Sequence, residues 1–116
     1  MTYQLLTNVT AVQAAPTATR GPMNAVKAPG PSNPNMPPQE QTFNLMVSGV
    51  GAVSVTAQLV VSHDGVNWMA YNDPITASGT DSGGKITTGS GAWPWFGAYV
   101  TAISGTNASA NLTMAA

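Results

Sequence analysis

Apolar and polar residues alternate with a period of two along most of this chain, the pattern of strands with one buried face. Phe43, Leu45 and Val47 share a face. Gly49-Val50-Gly51 then reads as a turn. Val53, Val55, Ala57, Leu59 and Val61 line one side of the longest strand, with Ser54, Thr56, Gln58 and Ser62 mostly on the other. His63-Asp64-Gly65 is a tight-hairpin signal, because glycine readily takes positive φ. The next strand is expected over 66–71, with Val66, Trp68 and Ala70 on its apolar side, and Asp73-Pro74 ends it. Short strands follow at 75–77 and 85–88, separated by a Gly/Ser/Asp loop over 78–84. A strand over 98–103, a turn at 104–107 and a last strand with Ala108, Ala110, Leu112 and Met114 on one face complete the chain. Near the start, Tyr3, Leu5, Val9 and Ala11 place a strand within 1–13. About eight short strands with Gly-rich turns and no helical period predict an all-β domain, a small β-sandwich or jelly roll.

One stretch departs from this pattern. Residues 14–40 hold Pro16, Pro22, Pro29, Pro31, Pro34, Pro37 and Pro38, seven of the nine prolines. Proline fixes φ, removes a donor and restricts the residue before it, so helix and interior strand are both disfavoured. The expectation is a long Pro-rich extended arm, flanked by an N-terminal strand (1–13) and the sandwich proper (41–116), within one domain. Extended, it would reach about 80 Å. Met23, Val26 and Met36 are spaced along it as isolated anchors, and Arg20 and Lys27 are two of the three cations. These five are the candidate partner-binding residues.

Composition narrows the function classes. Only 6% of the 116 residues are charged, with a formal net charge of −1, against about a quarter in ordinary globular proteins. The surface must be built from Ser, Thr, Asn, Gln, Gly and Ala, which repel neighbouring copies weakly. Three scattered cations do not make a phosphate-binding face, so no nucleic-acid partner is expected. No apolar run approaches the roughly 20 residues of a membrane span. The first residues lack the basic and apolar regions of a secretion signal, which predicts synthesis in the cytoplasm. Without cysteine, a disulfide framework and thiolate metal sites are excluded.

Catalytic equipment is equally sparse. The single histidine, His63, sits beside Asp64. A lone acid/base pair or metal ligand is one reading; a turn in which Asp64 caps its own backbone is the other. Asp64, Asn67, Asn72, Asp73 and Asp81 have no spacing of a calcium loop. No Gly-x-Ser-x-Gly elbow is present, and Gly83-Gly84-Lys85 lacks the rest of a phosphate loop. The expectation is a protein that is not an enzyme and carries no cofactor. Trp68 is assigned to the core and hairpin with Asp64 and Gly65. Trp93, Trp95 and Phe96 are candidate interface aromatics, with sugar stacking on the two tryptophans as the other possibility.

Two stretches carry a family resemblance. Val61-Ser62-His63-Asp64-Gly65-Val66-Asn67-Trp68 resembles the S-N-D-G-x-x-W hairpin of many phage virion proteins. Trp93-Pro94-Trp95 and Tyr99 to Thr106 are similar to their W-x-Y-V-R-A-x-V-T-x-x-S-G-T ending. His63 stands where Asn is common there, and Thr101 where Arg is common. The resemblance spans about residues 43–116. It implies a tailed-bacteriophage structural protein on the capsid surface, made in the bacterial host cytoplasm. With the arm, it implies a capsid decoration (cement) protein that binds the major capsid protein and itself, as a dimer or trimer. The alternative it leaves is a receptor- or glycan-binding module of a tail or head fibre.

Overall fold

A computed structural model describes residues 2–27, 40–91 and 93–115. Its elements are all strands: β1 (Thr2–Val9), β2 (Val26–Lys27), β3 (Glu40–Ser62), β4 (Met69–Ser90) and β5 (Trp95–Ala115). They pair antiparallel in the order β1-β5-β3-β4, with β2 on the β5 edge. Met36 and most of the prolines of the expected arm fall outside the described residues.

The three long strands fold back on themselves. At ~3.3 Å per residue, the 23 residues of β3 would stretch about 75 Å if straight, yet the longest dimension of the molecule is 48 Å. Phe43 lies near the start of β3, and Phe96 pairs with Val61 near its end, but their ring centroids are 6.2 Å apart. Within β4, Tyr71 donates its hydroxyl hydrogen to the carbonyl of Ser90, 19 positions later, at 2.9 Å.

The bends lie at one level across the sheet. The three residues Gly49-Val50-Gly51 face Asp81 alone, because the register passes from Ser48–Ser82 to Ala52–Thr80. Asp81 and Asn107 take left-handed backbone at φ 64 and 55, a region these short polar side chains tolerate. The Asp81 Oδ1 accepts the Gly51 N–H at 2.7 Å. Gly49 has no room for a side chain: a Cβ there would stand 2.8 Å from the Thr106 carbonyl oxygen and from Val53 Cγ1. The segments read from sequence as turns at 49–51 and 104–107 and as a loop at 78–84 therefore end no strand. They are bulges that bend the ladder while pairing resumes beyond them. The short strands expected on either side are halves of β3, β4 and β5.

The bent ladder closes on itself as a small β-sandwich. One layer holds β1 and residues 40–48, 82–90 and 108–115; the other holds residues 53–62, 69–78 and 95–103. Phe43, Leu45, Val47, Val53, Val55, Ala57, Leu59 and Val61 all point between the layers and are buried. Their common parity survives the bulge, which is why one apolar face serves both layers.

At the far end of β3 the outer face is covered too. Residues 57–62 are all buried, including Gln58, Val60 and Ser62. The cover comes from Gln13 and the first part of the Pro-rich segment that follows it. Gln13 exchanges hydrogen bonds with Val100, Pro22 lies against Gly97 and Val60, and Val26 and Lys27 pair with Phe96 and Trp95. Residues 14–27 are thus part of the domain, not a free arm. The physical reason is the β5 edge, whose unpaired backbone groups this segment satisfies.

Candidate functional site

The loop joining β3 to β4 is built by three side chains. Ser62 Oγ accepts the Gly65 N–H at 2.9 Å and donates to Asp64 Oδ1 at 3.0 Å. The same Oδ1 accepts the backbone N–H groups of Val66 and Asn67, each at 2.8 Å. Asp64 Oδ2 accepts from the Asn67 side-chain amide at 2.8 Å. Gly65 sits at φ 78, and a Cβ there would be 3.1 Å from the Trp95 ring. The spacing Ser-x-Asp-Gly-x-Asn is therefore a self-contained hydrogen-bonded loop. Donation from the Asn67 and Val66 backbone, then from the Asn67 and Ser62 side chains, holds the Asp64 carboxyl well below the usual carboxylate range. His63 is exposed and stacks obliquely on Trp93, ring centroids 5.0 Å apart.

Trp93 comes from the other side of the sequence. It packs on the core beside Tyr71, whose ring meets it edge-on at 6.2 Å. Burial raises the Tyr71 pKa, against the opposing hydrogen bonds to Ser90 and Asn72. Together His63, Asp64, Asn67, Met69 and Trp93 line a depression of about 330 Å³. A larger opening, about 490 Å³, runs between the two halves of β4 past Asp73, Pro74 and Lys85. The β4 edge beside it is defended against strand addition, since Pro74 offers no N–H, Lys85 is a charge on the core-side register, and the 78–83 bulge interrupts the ladder.

The structure redistributes the residues singled out from sequence. Phe96, 1% exposed, is core and not a contact surface. Trp93 and Trp95 do not form one platform: Trp93 meets His63 and Tyr71, whereas Trp95 lies against Gly65 with the Lys27 ammonium 5.8 Å from its ring centroid. Pro94 lies in a bend before β5 begins, and this turns the two indoles apart. Trp68 is half-buried outside the main core, with its Nε1 near Gly21. The expected strand over 66–71 begins only at Met69, so Val66 is 48% exposed and Ala70 is exposed. The loop network consumes residues 63–68 instead. Of the proposed anchors, Val26 is half-buried against the core, Lys27 serves Trp95, Arg20 donates to the Ala15 carbonyl at 3.2 Å, and Met23 is exposed. Met36 lies outside the described residues.

Tyr71 and Met69 were missed as site residues, because nothing in a strand sequence says which exposed positions face a distant loop. Among the described residues, no group of three or more acidic or histidine side chains could hold a metal ion. No helix among them is long and apolar enough to cross a membrane. Comparisons with protein-family models, curated proteins and solved structures found no match to this chain.

Proposed function

We propose that this chain is a capsid decoration protein of a tailed bacteriophage, which docks on the assembled shell and stabilises it without chemistry of its own. The observation that carries this reading is the outer face of the β1-containing layer. Thr42, Asn44, Met46 and Ser48 of β3 alternate with the core residues, flanked by Thr88, Ile86 and Gly84 on β4 and by Thr113, Asn111 and Ser109 on β5. None of these side chains is ionisable. Met46 and Ile86 are 52% and 68% exposed on diagonal positions of adjacent strands. Glu40 stands at the end of this face, and between Thr42 and Ser48 its uncharged surface with two large apolar side chains is suited to a broad contact with a protein lattice. The phage-like stretches at 61–68 and 93–106 support the same reading, since β5 pairs directly with the strand that leads into the loop.

Self-association into a dimer or trimer belongs to this proposal and multiplies the contacts with the shell by avidity. Because the protein would bind only the assembled shell, occupancy stabilises that state by mass action. Exposed Arg20 and Met23 supply a second, smaller contact on the opposite side.

Co-sedimentation with undecorated phage shells tests the reading. The wild-type chain should pellet with shells, and the Met46→Glu/Ile86→Glu double variant should remain in the supernatant while keeping its melting temperature. Pelleting of the folded double variant at wild-type occupancy would move the contact away from this face, and failure of the wild-type chain to pellet would remove the shell as partner.

A further inference from the structure

The loop between β3 and β4 and the bend before β5 create a second feature that shell docking does not use. Trp93 is half-buried on the core, so its indole is already ordered before any ligand arrives. His63 and Met69, the latter 57% exposed, extend the apolar wall. On the polar side, the two oxygens of Asp64 are unequally occupied. Oδ1 accepts three hydrogen bonds, from Ser62, Val66 and Asn67, whereas Oδ2 accepts one, from the Asn67 amide. A carboxylate oxygen accepts two or more, so Oδ2 retains capacity toward a ligand. The loop bonds keep this carboxylate ionised and fixed in place.

We propose that the depression lined by His63, Asp64, Asn67, Met69 and Trp93 is a subsite for one neutral pyranose unit of a glycan. A pyranose ring has an apolar C–H face and a rim of hydroxyl donors. The C–H face matches the indole, imidazole and thioether wall, and one hydroxyl donates to Asp64 Oδ2. The His63 imidazole, exposed at the rim, offers a further polar contact. The fixed negative charge of Asp64 discriminates against anionic sugars and phosphates. The volume of about 330 Å³ suits one ring of a longer chain lying across the surface.

The test is titration of the isotope-labelled full chain with methyl glucopyranoside, methyl galactopyranoside and methyl mannopyranoside, followed by two-dimensional NMR. The Trp93 indole resonance is assigned from its disappearance in Trp93→Phe. The expected result is a saturable shift of the Trp93 indole signal with at least one glycoside at millimolar concentration. Met69→Ala and Asp64→Asn should each weaken binding about tenfold, the scale of one lost stacking or hydrogen-bond contact. His63→Ala, at an exposed position, keeps the test independent of folding and should also weaken it. Tetramethylammonium chloride serves as the rival probe. Saturable binding of that cation without any glycoside would reassign the site to a cationic ligand and overturn the proposal. Absence of a Trp93 shift with all three glycosides at tens of millimolar, or shifts confined to other residues, would overturn it as well. Shell co-sedimentation reads a different face, so the two proposals stand or fall separately.

Discussion

At the residue scale, the chemistry of the β3–β4 loop is concentrated in Asp64. Its carboxylate accepts from two backbone N–H groups and two side chains. A carboxyl whose folded-state pKa is depressed contributes stability that is present above its unfolded value of about 3.9 and lost as pH falls toward the folded value. The difference in melting temperature between wild type and Asp64→Ala should therefore be constant from neutral pH down to about 5 and shrink below about 4. A difference independent of pH would show that the ionised form plays no part. Trp68 offers a contrasting case. Its motif position resembles a core tryptophan, but the side chain is half-buried and its Nε1 is buried without a hydrogen-bond partner among the described residues. Trp68→Ala should cost about 1–3 kcal/mol in chemical unfolding, less than the 3–5 typical of a fully buried aromatic. Trp68→Phe should recover most of that loss, because phenylalanine keeps the ring contacts and gives up no hydrogen bond to a described residue.

At the scale of elements, the informative feature is continuity through the bends. Gly49 lies where β3 crosses from one layer to the other, and a Cβ would collide with backbone of Thr106 and with Val53. Gly49→Ala should destabilise by about 1–3 kcal/mol, with hydrogen exchange quickening in both halves of β3 and β5 together. Exchange confined to one half would mean that the halves fold as separate strands. The segment 14–27 behaves as a structural element as well. It covers Val60 and Gly97 and pairs with the β5 edge. Replacing residues 14–27 by a flexible linker should lower the melting temperature by several degrees and promote concentration-dependent aggregation, measured by light scattering, because an edge and an apolar face become exposed together. Unchanged stability would return this stretch to the role of a free arm.

At the scale of the whole molecule, low charge and layer architecture act together. With three cations and four carboxylates in 116 residues, little long-range repulsion opposes close approach of copies. The β4 edge is kept from pairing by Pro74, Lys85 and its bulge. Association should therefore not proceed by strand addition at the β4 edge. Sedimentation velocity should show association that persists in the Met46→Glu/Ile86→Glu variant, whose face is left for the shell, and that is indifferent to Lys85→Ala. Dependence on Lys85 would instead place the contact at the β4 edge.

Much of this was legible in the sequence because period-two alternation is a local property. It assigns Phe43, Leu45, Val53, Val55 and Leu112 to one buried face whatever the strands pair with. The turn at His63-Asp64-Gly65, capped by Asp64, was legible for the same reason, since the bonds Asp64 accepts span three residues or fewer; the part Ser62 plays in it was not. Other features depend on approach between distant segments. A glycine pair such as Gly49 and Gly51 marks a departure from regular strand, but only the neighbouring strands decide whether the chain turns or bends and pairs again. The burial of Val60 required Pro22, and the site required Trp93 to meet His63, 30 positions earlier in the chain. Alternation by itself determined that this protein is all-β and which residues of β3 and of the second half of β5 face its core, but not the fate of Val66, Trp68 and Ala70. Tertiary structure alone decided the folded-over long strands, the fate of the Pro-rich segment and the grouping at Trp93, because those rest on contacts whose partners are far apart in sequence and leave no local periodic trace.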